Sequence, residues 1–325
     1  MKKQAFNALI ILLLSLAVLC LSVFLGASGF KLPDIHDRTE TIILCMRLKR
    51  ILCGFITGAA LSCAGLVFQT ILRNPLAEPY ILGVSSGAGL GAALSIVFGI
   101  NLISIFAIPF SAFLGAALAF AIVFSLASKG EYVSIYSLII SGVIISSVGS
   151  SLLMFLITII PATGLHGIIW WMLGSVEPIS DKLLYTVLLI VCFSLFLLAA
   201  IAKELNALLP GWEIAHSVGI RSKIVVFMAL TLSTVLTASV VSMAGIIGFV
   251  GLIVPHITRA IVGSDHRYSI PISAIMGGAF LALCDAIGRW IIAPIEIPVG
   301  AITALCGGPF FLFILRKKRA EGWLE

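Results

Sequence analysis

Apolar runs of about 20 residues recur from one end of this chain to the other, broken only by short polar stretches. A helix of that length is about 30 Å long, the thickness of a bilayer's hydrocarbon core. Of the 325 residues, 61% are hydrophobic and 10% charged, and the mean hydropathy is +1.21. Soluble domains carry roughly 25% charged residues. No run alternates in the manner of a barrel strand. The chain is therefore expected to be an all-α polytopic membrane protein, forming a single transmembrane domain over 1–325. Ten membrane helices are expected, at about 8–27, 44–72, from 81 onward, 103–127, 134–160, 183–202, 224–241, 246–262, 269–293 and 300–315. Lys2 and Lys3 precede a run longer than a signal-peptide core, so it is kept as the first helix. Most Lys and Arg residues then fall on the segments assigned inside, which places both termini in the cytoplasm.

The most polar break near the middle is the segment 203–223. Pro210 and Gly211 end one turn, Trp212 to Val218 can form a short helix, and Gly219 is placed to end it in the left-handed conformation. Ile214 and Val218 share one face, Glu213 and Ser217 another. Such a helix either lies on the membrane surface or docks a soluble partner.

Several polar or small residues stand out elsewhere. Two prolines in Arg73-Asn74-Pro75-Leu76-Ala77-Glu78-Pro79 forbid a continuous helix. Gly83, Ser85, Ser86 and Ser141 lie near the starts of helices 3 and 5, where small residues permit close packing. Trp170 and Trp171 either anchor a membrane interface or line a vestibule. Asp285 and Arg289, four apart, can pair on helix 9, and His256 follows Pro255 in helix 8. Arg47, Lys49 and Arg50 cluster at the outer start of helix 2, against the usual charge bias. They either snorkel to lipid phosphates or receive a partner's carboxylates. Ser62-Cys63-Ala64-Gly65 and Ser242-Met243-Ala244-Gly245 suggest an inverted repeat of helices 2–5 and 7–10. Seven scattered cysteines read as packing residues, and no nucleotide-binding P-loop, metal-ligand cluster or cofactor motif occurs.

The stretch 73–79 with Leu82-Gly83-Val84-Ser85-Ser86-Gly87-Ala88, the run Gly248-Phe249-Val250-Gly251-Leu252-Ile253-Val254-Pro255-His256, Asp265-His266-Arg267 and Glu296-Ile297-Pro298-Val299-Gly300 resemble the FecCD-type permeases of type II ABC importers. Leu205-Asn206-Ala207-Leu208 with Gly211, Ala215, Ser217 and Gly219 resembles that family's coupling segment. The resemblance implies a permease for an intact ferric siderophore, haem or cobalamin in a bacterial or archaeal cytoplasmic membrane. It implies two ATPase subunits below, a periplasmic or lipoprotein binding protein above, and a second permease copy, most simply a homodimer. It implies ATPase contact through Trp212, Glu213, Ala215, His216, Ser217 and Gly219 and binding-protein docking through Arg47, Arg50 and Arg289. It also implies an inner gate near Gly83, Ser85, Ser86 and Ser141. Where the family has a proline, this chain has Lys49. An ion-driven transporter using Asp285 or Glu78 is the alternative function. A membrane enzyme lacks any paired catalytic constellation here.

Overall fold

The computed structural model describes residues 2–26, 29–30, 37–129, 132–160, 162–177, 180–217 and 219–320. The fold opens with α1 (Lys2–Phe24), a small hairpin of β1 (Leu25–Gly26) and β2 (Gly29–Phe30), and the long α2 (Arg38–Ile71). Helices α3 (Val84–Val97) and α4 (Ala107–Ala127) follow. A second hairpin, β3 (Ser128–Lys129) with β4 (Tyr132–Val133), leads to α5 (Ile135–Ile159), α6 (Ala162–Leu173) and α7 (Asp181–Ala200). Two short helices, α8 (Ala202–Leu208) and α9 (Trp212–Ser217), precede α10 (Ser222–Ala244), α11 (Val250–Val262), α12 (His266–Trp290) and α13 (Val299–Ala320).

Among the described residues, seven helices are long and apolar enough to cross a membrane: α1, α2, α4, α5, α7, α10 and α12. The apolar α3 and α11 are shorter, as is the apolar part of α13, Val299–Ile314. Leu14 on α1, Phe155 on α5 and Leu189 on α7 are more than half exposed, so the bundle presents an apolar exterior.

Several boundaries differ from expectation for local reasons. Helix α2 begins at Arg38 rather than near 44, because the Asp37 side chain caps it by accepting the Thr39 N–H at 2.9 Å. Lys49 lies within that unbroken helix, about three turns in, and Arg47 and Arg50 are likewise not at its start. Helix α3 begins at Val84 because Pro79–Leu82 forms a 3-10 turn that Gly83 ends at φ +80. Helix α11 starts only at Val250, after Gly245 and Phe249 take positive φ. The two tryptophans expected on an outer segment lie on a helix, α6.

The centre of the bundle is the pair α2 and α12. A Cβ at Gly58 would meet the Gly277 carbonyl, so the α2 and α12 backbones touch, and one at Gly65 would meet the Gly251 carbonyl of α11, so α2 also touches that helix. Of the most apolar stretch of α2, 83% is buried, against 17% for α1 and α5. The Ser62 hydroxyl adds a 2.7 Å donation to the Ser273 carbonyl on α12. Ser242 and Gly245, the other copy of the suggested repeat, stand instead at the end of α10 and just beyond it.

Candidate functional site

Arg50, about three turns into α2, and Thr70, in its last turn, stand about 30 Å apart at 1.5 Å per residue. The candidate sites lie at these two levels of the bundle, the Arg50 end and the Thr70 end.

At the Arg50 end, one carboxylate gathers two guanidiniums. Arg50 Nε donates to both oxygens of Asp285 at 3.0 and 3.2 Å, and Arg289 Nε donates to Asp285 Oδ2 at 3.0 Å. The i, i+4 spacing places Asp285 and Arg289 on one face of α12. Arg50 also pairs with Glu296 at 2.8 Å and Glu177 at 3.5 Å. The more exposed Lys49 meets Asp181 at 2.7 Å. The group borders a cavity of about 590 Å³ whose walls include His166, Trp170, Trp171, Met243 and Ile297. That volume lies within the ~300–1,000 Å³ typical of small-molecule sites. Aromatic faces and mixed charges suit a large, partly apolar, charged ligand.

The expected docking arginines occupy different settings. Arg47 is buried, donating to the Val23 carbonyl at 3.0 Å and filling the space left by Gly26. Arg289 is buried beside Asp285, and Arg50 retains partial exposure. Arg47 and Arg50, three apart, do not present a common exposed face: one turns toward the end of α1, the other toward α12.

At the Thr70 end, α8 and α9 form the polar excursion expected at 203–223, with α8 as an additional helix. The Gly211 amide closes α8 by donating to the Leu208 carbonyl at 3.1 Å, and Gly219 takes φ +84 after α9. Ala215 is buried against the bundle, whereas Ile214 is 52% exposed. Ser217 donates to the Ile214 carbonyl at 2.8 Å. The side chains of Trp212, Glu213 and His216, and the whole of Val218, lie outside the described residues. Asn206 on α8 bonds to Asp265 and His266, and His266 contacts Thr70 on α2. Asp265 caps α12 by accepting the Arg267 N–H at 3.0 Å, and the Arg267 guanidinium holds its carboxyl well below the usual carboxylate range.

The gate candidates do not share one lining. Gly83 and Ser86 pack on α5, against Ile145 and Gly149 respectively, and Ser86 donates to the Gly83 carbonyl at 3.1 Å. Ser85 is half-buried, and Ser141 bonds within α5 to the Ser137 carbonyl. Ser86 and Gly149 line a separate apolar cavity of about 440 Å³, away from the tryptophans. His256 stands edge-on to Phe310 and Phe311 of α13, with centroids 6.3 and 6.4 Å away.

Sequence reasoning passed over Tyr80, whose hydroxyl donates to the Ile247 carbonyl at 2.9 Å and accepts the Ile247 N–H at 3.1 Å. Beside it Glu78 accepts the Phe249 N–H, and burial raises its carboxyl pKa. The segments before α3 and α11 are thus cross-linked. Two polar side chains embedded in both proline- and glycine-rich stretches were the available signal.

A bundle of apolar helices, seven of them among the described residues long enough to cross a bilayer, is the architecture of a multi-pass membrane protein. The chain belongs to the FecCD transport family, which it matches over residues 11–317. It is 40% identical over 289 residues to an uncharacterized ABC transporter permease protein, YvrB, of Bacillus subtilis (strain 168), covering 86% of this chain and 80% of that one. It is 37% identical to the cobalamin import system permease protein BtuC of Halobacterium salinarum (strain ATCC 700922 / JCM 11081 / NRC-1), covering 88% and 76%. A solved metal-chelate-type ABC transporter in an inward-facing conformation superposes with a TM-score of 0.86 at 29% identity, covering 97% of this chain and 99% of the other. In this family the permease is a transport subunit, and ATP hydrolysis is carried out by a separate ATPase subunit.

Proposed function

We propose that this chain forms, with a second copy, the membrane path of an importer that carries an intact metal chelate of the cobalamin, siderophore or haem class across the cytoplasmic membrane. Ten crossings with both termini inside place the Thr70 end in the cytoplasm and the Arg50 end outside. The first half, α2–α5, then has a topology opposite to that of α10–α13. In this reading α9 meets the ATPase, and the binding protein docks around Arg50 and its carboxylates. The inner gate includes Gly83, Ser85, Ser86 and Ser141.

The observation that carries the reading is the placement of α9. A short helix is held to the bundle through Ala215 while Ile214 projects outward, at the end of α2 far from the charged cavity. An exposed isoleucine on a six-residue helix gains little from packing within its own chain, but it can fill a partner's groove. The ion-driven alternative does not explain such a projection.

The test is uptake by proteoliposomes holding the permease, its candidate ATPase and its binding protein, offered a panel of chelates. ATP-dependent uptake of one intact chelate is expected, with Ile214→Asp losing coupled uptake while the permease stays folded. Uptake without ATPase, driven by an ion gradient, overturns the proposal.

A further inference from the structure

Asn206 is the only side chain of α8 for which the described residues show bonds to two others at the Thr70 end, and its hydrogen bonds fix a direction. Its Nδ2 donates to Asp265 Oδ1 at 2.7 Å. A carboxylate only accepts, so the amide nitrogen faces Asp265 and the amide oxygen faces His266. That oxygen accepts the His266 backbone N–H at 2.8 Å and lies 2.7 Å from His266 Nδ1. An amide oxygen carries no proton, so Nδ1 carries it, and in the neutral imidazole Nε2 is then an acceptor. The Thr70 hydroxyl lies 2.9 Å from Nε2 and 2.9 Å from the Leu66 carbonyl, so its single proton serves either contact. Donation runs one way from His266 on α12 through Asn206 on α8 to Asp265, with Thr70 on α2 against the other side of the imidazole. Arg267 closes the far end on Asp265 at 2.6 Å.

Apolar packing by Leu205 and Leu208 also holds α8, but such contacts are non-directional and let a helix slide or turn. The three contacts of Asn206 do not. Helices α2 and α12 run from this hub to Arg50 and Asp285 at the other end, touching at Gly58 and Gly277 on the way. We propose that Asn206 and His266 are positioning residues for coupling. They clamp α8, which leads directly into α9, to the inner ends of α2 and α12. Movement imposed on α9 is then delivered to that helix pair and on to the charged cavity, rather than absorbed in the loop. This rests on the reading of α9 as the ATPase contact.

The test uses the complete reconstituted complex and measures ATP hydrolysed per chelate imported. Asn206→Asp sets two carboxylates against each other and should raise that ratio about tenfold while hydrolysis continues, a coupling loss of ordinary size. Combining Asn206→Asp with Asp265→Asn restores a donor and acceptor between α8 and α12 and keeps both acceptor contacts to His266, but it turns an amide nitrogen toward the Arg267 N–H that Asp265 Oδ1 caps. It should recover part of the loss. His266→Asn keeps a donor where Nδ1 stood and should couple better than His266→Gln, which keeps only a group toward Thr70. A normal ratio in the single Asn206 variant overturns the proposal, as does a paired variant no better than the single one in coupling or, where the single one fails to assemble, in assembly. Normal coupling in Ile214→Asp instead removes the α9 reading itself. Disrupted coupling there with a normal Asn206→Asp complex removes the hub alone.

Discussion

Arg50 on α2 and Asp285 on α12 are joined by a two-pronged hydrogen bond at 3.0 and 3.2 Å, across 235 positions of sequence. Arg289 leans on the same carboxylate from one turn further along α12. Only 3% of Asp285 is exposed, so it is the counter-charge for two guanidiniums in a poorly solvated site. Asp285→Asn leaves the buried Arg289 without it while Arg50 keeps Glu296 and Glu177, and breaking a buried ion group costs about 3–5 kcal/mol. Thermal unfolding of the detergent-purified protein should show a large loss. Lys49→Ala, which breaks a more exposed pair with Asp181, should show little, because water and salt already screen that pair.

The α2–α12 contact has a sharper dependence on side-chain size. The Cβ added by Gly58→Ala would run into the Gly277 carbonyl, and neither backbone can turn away as a flexible side chain could. Overpacking of a close contact costs about 1–3 kcal/mol or more. Gly308 on α13 has nothing within 4 Å of the same added atom. Gly308→Ala should be neutral or stabilise the helix by about 0.5–1 kcal/mol. Unfolding midpoints of the two variants should separate clearly.

These two glycines show where the sequence was legible. A small-residue run inside an apolar stretch announces that some helix comes close, but not which one. Gly58 finds Gly277 more than 200 positions away. The apolar runs themselves were readable, because burial against lipid or protein needs only hydrophobicity over a fixed length. Arg47 was not. Its charge marks an exception to the positive-inside pattern, but its burial against the Val23 carbonyl depends on how α1 and its hairpin fold back on α2. The Asp285–Arg289 pair was visible from spacing on one helix, while Arg50, which completes it, comes from another.

Glu78 gives a pH-dependent test. Burial raises its carboxyl pKa, so the native state holds this proton to a higher pH than the unfolded chain does. The unfolded carboxyl titrates near about 4.3. Stability from this group is therefore full below that value and is lost as pH rises through the raised native value. Glu78→Gln keeps an oxygen to accept the Phe249 N–H and never ionises. The variant should unfold at a higher temperature than the parent at pH 8, and the gap should narrow toward pH 5. A gap that widens on acidification would contradict the sign.

The two tryptophans, adjacent in sequence, should separate stability from transport. Trp170 is 40% exposed and lies against His166 at the cavity wall, with ring centroids 5.9 Å apart. Trp171 is half-buried against the small-residue cluster of α3, α4 and α10 that includes Ala88, Ala112 and Val241. Its carbonyl occupies the space left by Gly245, and its Nε1 is buried with no partner among the described residues. Trp171→Ala should therefore cost about 3 kcal/mol, at the lower end for deleting a large aromatic side chain. Trp171→Phe removes the unpaired N–H and keeps most of the ring, so it should be neutral or stabilising. Trp170→Ala should lower the unfolding temperature less than Trp171→Ala does, because Trp170 is the more exposed of the two. If the charged cavity receives the chelate, it should also weaken uptake severalfold through the loss of an aromatic face, with association of the binding protein unaltered. Measuring unfolding, binding-protein association and uptake on all three variants checks the division. Full uptake by Trp170→Ala would take the chelate out of this cavity and leave Trp170 as a membrane-interface anchor.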